Sequence, residues 1–104
     1  MVEKYYNENN ELGVLVSSGY GAGWSTWNDK ELAYDKRIIE KWLENASSDE
    51  MCNYVASLGY ARPYMGGYRE LHLEFIPCGT MFCIHEYDGF ETVETPESMD
   101  MMMA

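Results

Sequence analysis

The chain is short of basic residues, of cysteine and of long apolar runs. Only seven Lys and Arg stand against 18 Asp and Glu, which gives a formal charge of −11 in 104 residues. A field of this sign repels phosphate backbones and excludes a protein that coats DNA or RNA. No apolar run approaches the roughly 18 residues that a membrane span requires. The 3 cysteines form no C-x-x-C pair, so we expect no disulfide framework and a reducing compartment.

Length and composition predict one domain with a modest core. About 100–200 residues make one domain, and a chain of this size buries enough surface for a single core. The first residues lack the apolar stretch of a secretion signal, so we expect a cytoplasmic protein. Residues 1–10 predict a flexible arm, residues 11–94 a single globular domain, and residues 95–104 a disordered tail rich in acids and methionine.

Apolar periodicity predicts an α+β fold. Alternating or continuous apolar runs of about 4–8 residues are typical of strands, and a period near 3.6 is typical of helices. A Ser-x-x-Glu capping box at Ser47 indicates where the second helix begins. We expect a two-layer sandwich of order β-α-α-β-β-β, with one antiparallel sheet of about four strands and two helices on one face. The predicted strands are residues 11–17, 70–76, 81–87 and 90–94, and the predicted helices are residues 29–45 and 48–58.

The most unusual segment is residues 19–27, which we name the glycine–tryptophan turn. Its three glycines and two tryptophans lie between a strand and a helix, where backbone N–H groups can hold an anion. The spacing matches neither G-x-G-x-x-G nor a P-loop. Two interpretations are open: a ligand pocket with stacking rings, or a tight turn whose tryptophans fill the core. As a pocket, its ligand-binding residues are Gly19, Tyr20, Gly21, Gly23, Trp24, Ser25, Thr26 and Trp27.

A second candidate segment is the loop of residues 60–69, which mixes rigid aromatic residues with a Gly-Gly hinge. Arg62 and Arg69 flank this loop, and Tyr64 lies within it. If the loop folds over the glycine–tryptophan turn, both guanidiniums and the tyrosine ring join the same ligand site. Bidentate phosphate contacts and base stacking would suit a nucleotide-sized anion. The alternative is that both arginines are solvated surface charges.

A weak candidate metal cluster depends on the register of a predicted hairpin. A four-residue turn at residues 77–80 would pair the flanking strands and bring possible Zn²⁺ ligands to one side of the sheet. A shift of one residue would destroy the cluster, and ordinary surface side chains are the alternative. We therefore expect no metal and no cofactor. The residues concerned are His72, Glu74, Cys83 and His85.

The glycine–tryptophan turn also carries a resemblance. Residues 13–27, with residues 31–37 and 86–89, resemble small phage and prophage proteins of about this size. The resemblance extends over residues 11–94, although Cys83 stands where those relatives more often have a basic residue. It implies an accessory protein that acts on host defence in the bacterial host cytoplasm. Origin does not establish chemistry, however.

Two functions from different classes follow from these features. The first is a non-enzymatic protein that sequesters a small nucleotide-like ligand. The second is an anti-CRISPR-like inhibitor that mimics nucleic acid and blocks a host defence nuclease. No nucleophile–base set is readable, so we expect no enzyme. The surplus of tyrosines predicts a homo-oligomer, most simply a dimer, with the 60–69 loop at or near the contact. The inhibitor would use the acids Glu86, Asp88, Glu91, Glu94, Glu97 and Asp100.

Overall fold

The strands of the protein form two separate sheets rather than one. The computed structural model describes residues 2–96. Its elements are β1 (Glu11–Ser17), α1 (Lys36–Leu43), α2 (Ser48–Ser57), β2 (Leu71–Pro77), β3 (Cys83–Tyr87) and β4 (Phe90–Glu94), with short 3₁₀ turns at Ser25–Trp27, Lys30–Ala33 and Tyr68–Glu70. β1 pairs with β2, and β3 pairs with β4, both antiparallel. The α+β class and the order β-α-α-β-β-β are confirmed, but the single four-stranded sheet is wrong.

The two sheets separate because β1 is apolar on both faces. On one face Leu15 joins the main core with Ile39 of α1 and Met51 of α2. On the other face Val14 and Val16 join a second cluster, against which Phe82, Ile84 and Val93 of the β3–β4 hairpin pack. A single sheet with both helices on one face would leave the second face in water. Packing the hairpin across β1, rather than beside β2, buries both faces.

The register of the two sheets separates the candidate metal ligands. His72 pairs with Val16 and Glu74 with Val14 in the β1–β2 sheet. Cys83 pairs with Glu94 and His85 with Thr92 in the other sheet. The predicted pairing of β2 with β3, on which the cluster of His72, Glu74, Cys83 and His85 depended, is therefore wrong. Within residues 2–96 no group of three or more such side chains is arranged to hold a metal ion.

The predicted helix at residues 29–45 is interrupted at Asp35. A 3₁₀ turn ends at Ala33, and α1 begins at Lys36 with Asp35 as its N-cap. The Asp35 carboxylate accepts the N–H of Arg37 at 2.9 Å and the hydroxyl of Tyr60 at 2.7 Å. Asp35 is completely buried. A buried carboxylate requires such donors. Asp35 obtains one of them by capping α1, and because an N-cap residue has a non-helical backbone, the predicted long helix is interrupted there.

Local signals in the sequence are followed closely elsewhere. The capping box of Ser47 and Glu50 is present at the start of α2. Asp88 and Gly89 both have positive φ, as the predicted two-residue hairpin turn requires. In the segment predicted as an arm, the carbonyl oxygen of Tyr5 accepts the N–H of Gly13 in β1 at 2.9 Å. No helix within residues 2–96 is long and apolar enough to cross a membrane.

Candidate functional site

The glycine–tryptophan turn is closed around the carboxylate of Glu91 in β4. Oε1 accepts the backbone N–H of Ser17 at 2.8 Å. Oε2 accepts the backbone N–H groups of Trp24 at 2.8 Å and Thr26 at 3.1 Å, together with the Thr26 hydroxyl. Glu91 is 1% exposed, and no Lys or Arg within residues 2–96 forms an ion pair with it. The turn thus holds an anion through its backbone, and that anion is a side chain of the same protein.

Glycine at position 23 permits this close approach. A Cβ on Gly23 would lie 3.1 Å from Oε2 of Glu91 and 2.8 Å from Cδ1 of Trp27. Beyond it, Trp24 is completely buried, and its indole N–H donates to the carbonyl oxygen of Leu32 at 3.2 Å. Trp27, by contrast, is 42% exposed. Trp24 therefore fits the interpretation of a turn that fills the core, and Trp27 fits the interpretation of a pocket with a stacking ring at the surface.

A second acid of the same hairpin holds Trp27. Oε2 of Glu86 accepts the indole N–H of Trp27 at 3.0 Å and the backbone N–H of Gly89 at 2.7 Å. These two hydrogen bonds lower the pKa of Glu86 below its ordinary value. Glu86 lies directly opposite Glu91 in the β3–β4 register. The hairpin thus grips the glycine–tryptophan turn with two adjacent carboxylates, each with its own donors.

The 60–69 loop folds against the turn, and Asn28 joins them. The Asn28 side chain accepts the backbone N–H of Tyr64 at 2.8 Å and donates to the Tyr64 carbonyl oxygen at 3.0 Å. The rings of Tyr64 and Trp27 stack with centroids 6.0 Å apart and an interplanar angle of 26°. A Cβ on Gly67 would lie within 3 Å of the carbonyl oxygens of Ala22 and Gly23. The hinge glycine therefore lets the loop lie directly on the turn.

A groove of about 270 Å³ lies beside this junction, and we name it the Trp27 groove. Its volume is close to the lower end of the roughly 300–1,000 Å³ usual for small-molecule sites. Arg62 donates to Oδ1 of Asn53 at 3.2 Å, and Oδ1 of Asp29 accepts the N–H of Glu31 at 3.0 Å. The groove offers an indole, a guanidinium and a carboxylate within one concavity. It is lined by Trp27, Asn28, Asp29, Leu32, Ala61 and Arg62.

Other predicted ligand residues lie elsewhere. Arg69 lines a separate groove of about 400 Å³, which we name the Arg69 groove. The Tyr20 ring is 74% exposed and packs on Phe90, with centroids 5.1 Å apart. Ser25 and Thr26 line a third concavity with residues of β3 and the second 3₁₀ turn. The structure brings Trp27 and Arg62 together, with Tyr64 stacked behind Trp27, and it does not bring Arg69 to them.

The acids assigned to a protein-inhibitor surface are also dispersed. Glu91 lies in the interior instead of at the surface, and Glu86 is engaged with Trp27. Asp88 is exposed and Glu94 is half-buried. The remaining two positions, Glu97 and Asp100, lie outside the described residues. The acidic face of the hairpin therefore lacks its central carboxylate.

Sequence reasoning missed Asn28 and Asp29 as residues of the site. The Asn28 amide binds a loop 36 positions away, which no local pattern indicates. Asp29 caps the 3₁₀ turn Lys30–Ala33, which follows the two tryptophans. The only signal for its place in the site was a helix-capping acid close to two aromatic residues.

Comparisons with known proteins assign no family to this geometry. No protein-family model, no curated protein and no solved structure matches the chain. The resemblance to small phage proteins therefore stays a prediction, and function has to be argued from the groove and its chemistry.

Replacing Asn28 by alanine is expected to release the 60–69 loop from the turn. The change removes both hydrogen bonds to the Tyr64 backbone and the one to the Trp24 carbonyl oxygen. At about 0.5–1.5 kcal/mol for each net hydrogen bond, stability should fall by roughly 2 kcal/mol. Hydrogen exchange at the Tyr64 amide should accelerate more than exchange in α2. Equal protection of the Tyr64 amide in the variant and the parent protein would contradict the clamp.

Proposed function

We propose that the protein is a non-enzymatic binding protein that sequesters a small nucleotide-like ligand in the Trp27 groove. From the resemblance to phage proteins, we further propose that it acts as an accessory factor against host defence in the bacterial cytoplasm. The ligand would be held and kept from its receptor without chemical change.

The observation that carries the proposal is the composition of the Trp27 groove. A half-exposed indole offers a stacking face for a base, with roughly 1–3 kcal/mol available per stacked base. Arg62 offers bidentate hydrogen bonds to a phosphate. Asp29 offers a carboxylate that accepts hydrogen bonds from ribose hydroxyls or an exocyclic amine. The volume suits one nucleoside monophosphate unit rather than a whole oligonucleotide.

The rigidity of the groove also supports binding. Trp27 is held by Glu86 on its indole N–H and by Tyr64 on its ring. Asn28, which lines the groove, bridges two backbone segments. A site fixed before the ligand arrives loses less conformational entropy on binding. The lining contains no Ser, Cys, His or Lys, and its one carboxylate, Asp29, accepts the N–H of Glu31 and has no base beside it in the lining, which favours sequestration over covalent catalysis.

The charge of the protein sets the main opposing effect. A field of −11 slows the approach of anions, although at about 0.15 M salt it is screened over about 8 Å. At short range Arg62 attracts a phosphate, and the Asp29 carboxylate of the same groove opposes that attraction. We expect binding to strengthen little at low salt, because the repulsive field and the attractive guanidinium both grow there.

Isothermal titration against a ligand panel tests the proposal. The panel comprises nucleoside monophosphates, cyclic di- and trinucleotides and ADP-ribose derivatives, at a protein concentration of about 10⁻⁴ M. Heat with at least one member, together with quenching of tryptophan fluorescence, is the expected result. No heat with any member would overturn the proposal and favour the acidic inhibitor, which charge reversal of Asp88 and Glu94 would then test.

Replacing Arg62 by glutamine is expected to weaken ligand binding about 10- to 100-fold, because a charge-assisted hydrogen bond contributes about 1.5–3 kcal/mol. Arg62 is exposed, so the fold should be unaffected. Arg69→Gln is the matched control, since Arg69 lines a different groove. If both variants lose affinity equally, the effect is one of overall charge, and the Trp27 groove is not the site.

A further inference from the structure

The outer edge of β2 is free of any partner strand within residues 2–96. At both ends of the β1–β2 pair, the N–H of Ser18 donates to the carbonyl oxygen of Glu70 and the N–H of Cys78 donates to that of Asn10. The even-numbered residues of β2 therefore direct their backbone N–H and C=O groups toward β1. The odd-numbered residues Leu73 and Phe75 therefore direct their N–H and C=O groups away from β1. Such an edge is a template for another strand. We propose that a second copy of this chain pairs antiparallel along β2, forming a two-fold dimer.

Hydrogen-bond complementarity between His72 and Glu74 selects one register for this pairing. With Leu73 opposite Leu73 of the second copy, His72 lies opposite the second copy's Glu74, and Glu74 opposite its His72. These side chains are half-exposed and already interact within the strand, with Nε2 and Oε2 separated by 2.7 Å. A shift by one hydrogen-bonded step places Glu74 opposite Glu74, or His72 opposite His72. Two carboxylates directly opposite each other are destabilising, and two imidazoles opposite each other lack the carboxylate acceptor, so the first register is favoured.

The same register places an exposed ring at an open groove. Leu71 lies opposite Phe75 of the second copy, and both side chains are on the face of the sheet that carries the helices. Leu71 lines the Arg69 groove together with Trp42 and Leu43 of α1. Phe75 is 43% exposed and Leu43 is 48% exposed in the single chain. The two-fold axis therefore brings a half-exposed ring to the Arg69 groove, beside Leu71 and Leu43, once in each copy.

This contact involves only the end of the loop that the tyrosines singled out. Tyr68 and Arg69 of the 60–69 loop line the Arg69 groove, whereas Tyr64 is stacked on Trp27. None of the residues that line the Trp27 groove belongs to the β2 contact. Dimer formation and ligand binding can therefore fail independently of each other.

Light scattering at about 0.15 M salt tests the dimer. The parent protein should have twice its mass of 12.0 kDa. His72→Glu places two acids opposite each other twice and should give a monomer with an unchanged circular dichroism spectrum. The double variant His72→Glu/Glu74→His restores opposite partners and should restore the dimer, whereas the control His85→Glu on β3 should stay dimeric. A monomeric parent protein, or a double variant that stays monomeric while folded, would overturn the proposal.

Cysteine cross-linking tests the register separately. In a Cys78→Ser/Cys83→Ser background, Leu73→Cys should give a disulfide-linked dimer, because paired Cα atoms lie about 5.5 Å apart. Phe75→Cys should give none, because its two copies would be about 14 Å apart along the strands. The reverse pattern, or the absence of any cross-link, would contradict this register.

Discussion

Replacing Glu91 by alanine is expected to remove most of the free energy of unfolding. The change takes away the acceptor of three backbone N–H groups, those of Ser17, Trp24 and Thr26, and of the Thr26 hydroxyl. The donors of Ser17 and Trp24 are buried, and each costs about 1–3 kcal/mol when left without an acceptor. The two Thr26 donors are only partly buried and add less, so the total is roughly 3–7 kcal/mol. A small domain has only about 5–15 kcal/mol in all. The variant should therefore be partly or wholly unfolded without denaturant.

Urea unfolding followed by tryptophan fluorescence measures this effect. Glu91→Gln should be intermediate, because its amide oxygen still accepts while its NH₂ group faces backbone donors. Glu94→Gln is the control in the same strand, since Glu94 is half-buried and its substitution should change stability by less than about 0.5 kcal/mol. A Glu91→Ala midpoint close to that of the parent protein would show that the turn does not depend on this carboxylate.

Local chemistry made several parts of the fold predictable. The Ser47–Glu50 capping box and the positive-φ turn at Asp88 and Gly89 are determined by residues three or fewer positions apart. The apolar run of β1 correctly indicated a buried strand. The single sheet was wrong because the pairing of β2 with β3 depends on how β1 is covered, and no local signal shows this. Sequence patterns show that a face is apolar, and only packing decides whether a helix or a hairpin covers it.

The candidate site was predictable in part for the same reason. The backbone of the turn does hold an anion, but the donors are the N–H groups of Trp24 and Thr26 and not those of the glycines. The anion itself, Glu91, lies 65 positions or more from the amides of the turn. One signal was available: a two-residue turn at Asp88 and Gly89 places Glu86 directly opposite Glu91. Two acids so placed repel each other unless each has donors of its own, which pointed to a role beyond surface charge.

A second buried carboxylate, Asp35, controls how the protein responds to acid. It accepts hydrogen bonds from the Arg37 guanidinium, at 2.8 and 3.1 Å, and from the hydroxyl of Tyr60. Burial alone would raise the pKa of Asp35, but the hydrogen bonds from Arg37 and Tyr60 outweigh it and hold the pKa below its ordinary value. Burial and Asp35 together raise the pKa of Tyr60 well above its usual range, so the hydroxyl stays a donor at alkaline pH.

Because the pKa of Asp35 is lower in the folded state than in the unfolded chain, its stabilisation is present above about pH 4 and is lost as pH falls through the folded-state pKa. Asp35→Asn should therefore lower the free energy of unfolding by about 1–3 kcal/mol at neutral pH, because it weakens charge-assisted hydrogen bonds to the buried carboxylate from an arginine that is itself 45% exposed. The difference between parent and variant should shrink as the pH falls below about 4, where the carboxylate of the unfolded chain takes up a proton, and should be lost once the pH passes the lower folded-state pKa. Glu3→Gln is the control, because the Glu3 side chain is 78% exposed and its contact with Lys36 is 3.9 Å long. A parent–variant difference that stays constant from neutral pH into acid would mean that Asp35 acts by packing and not by charge.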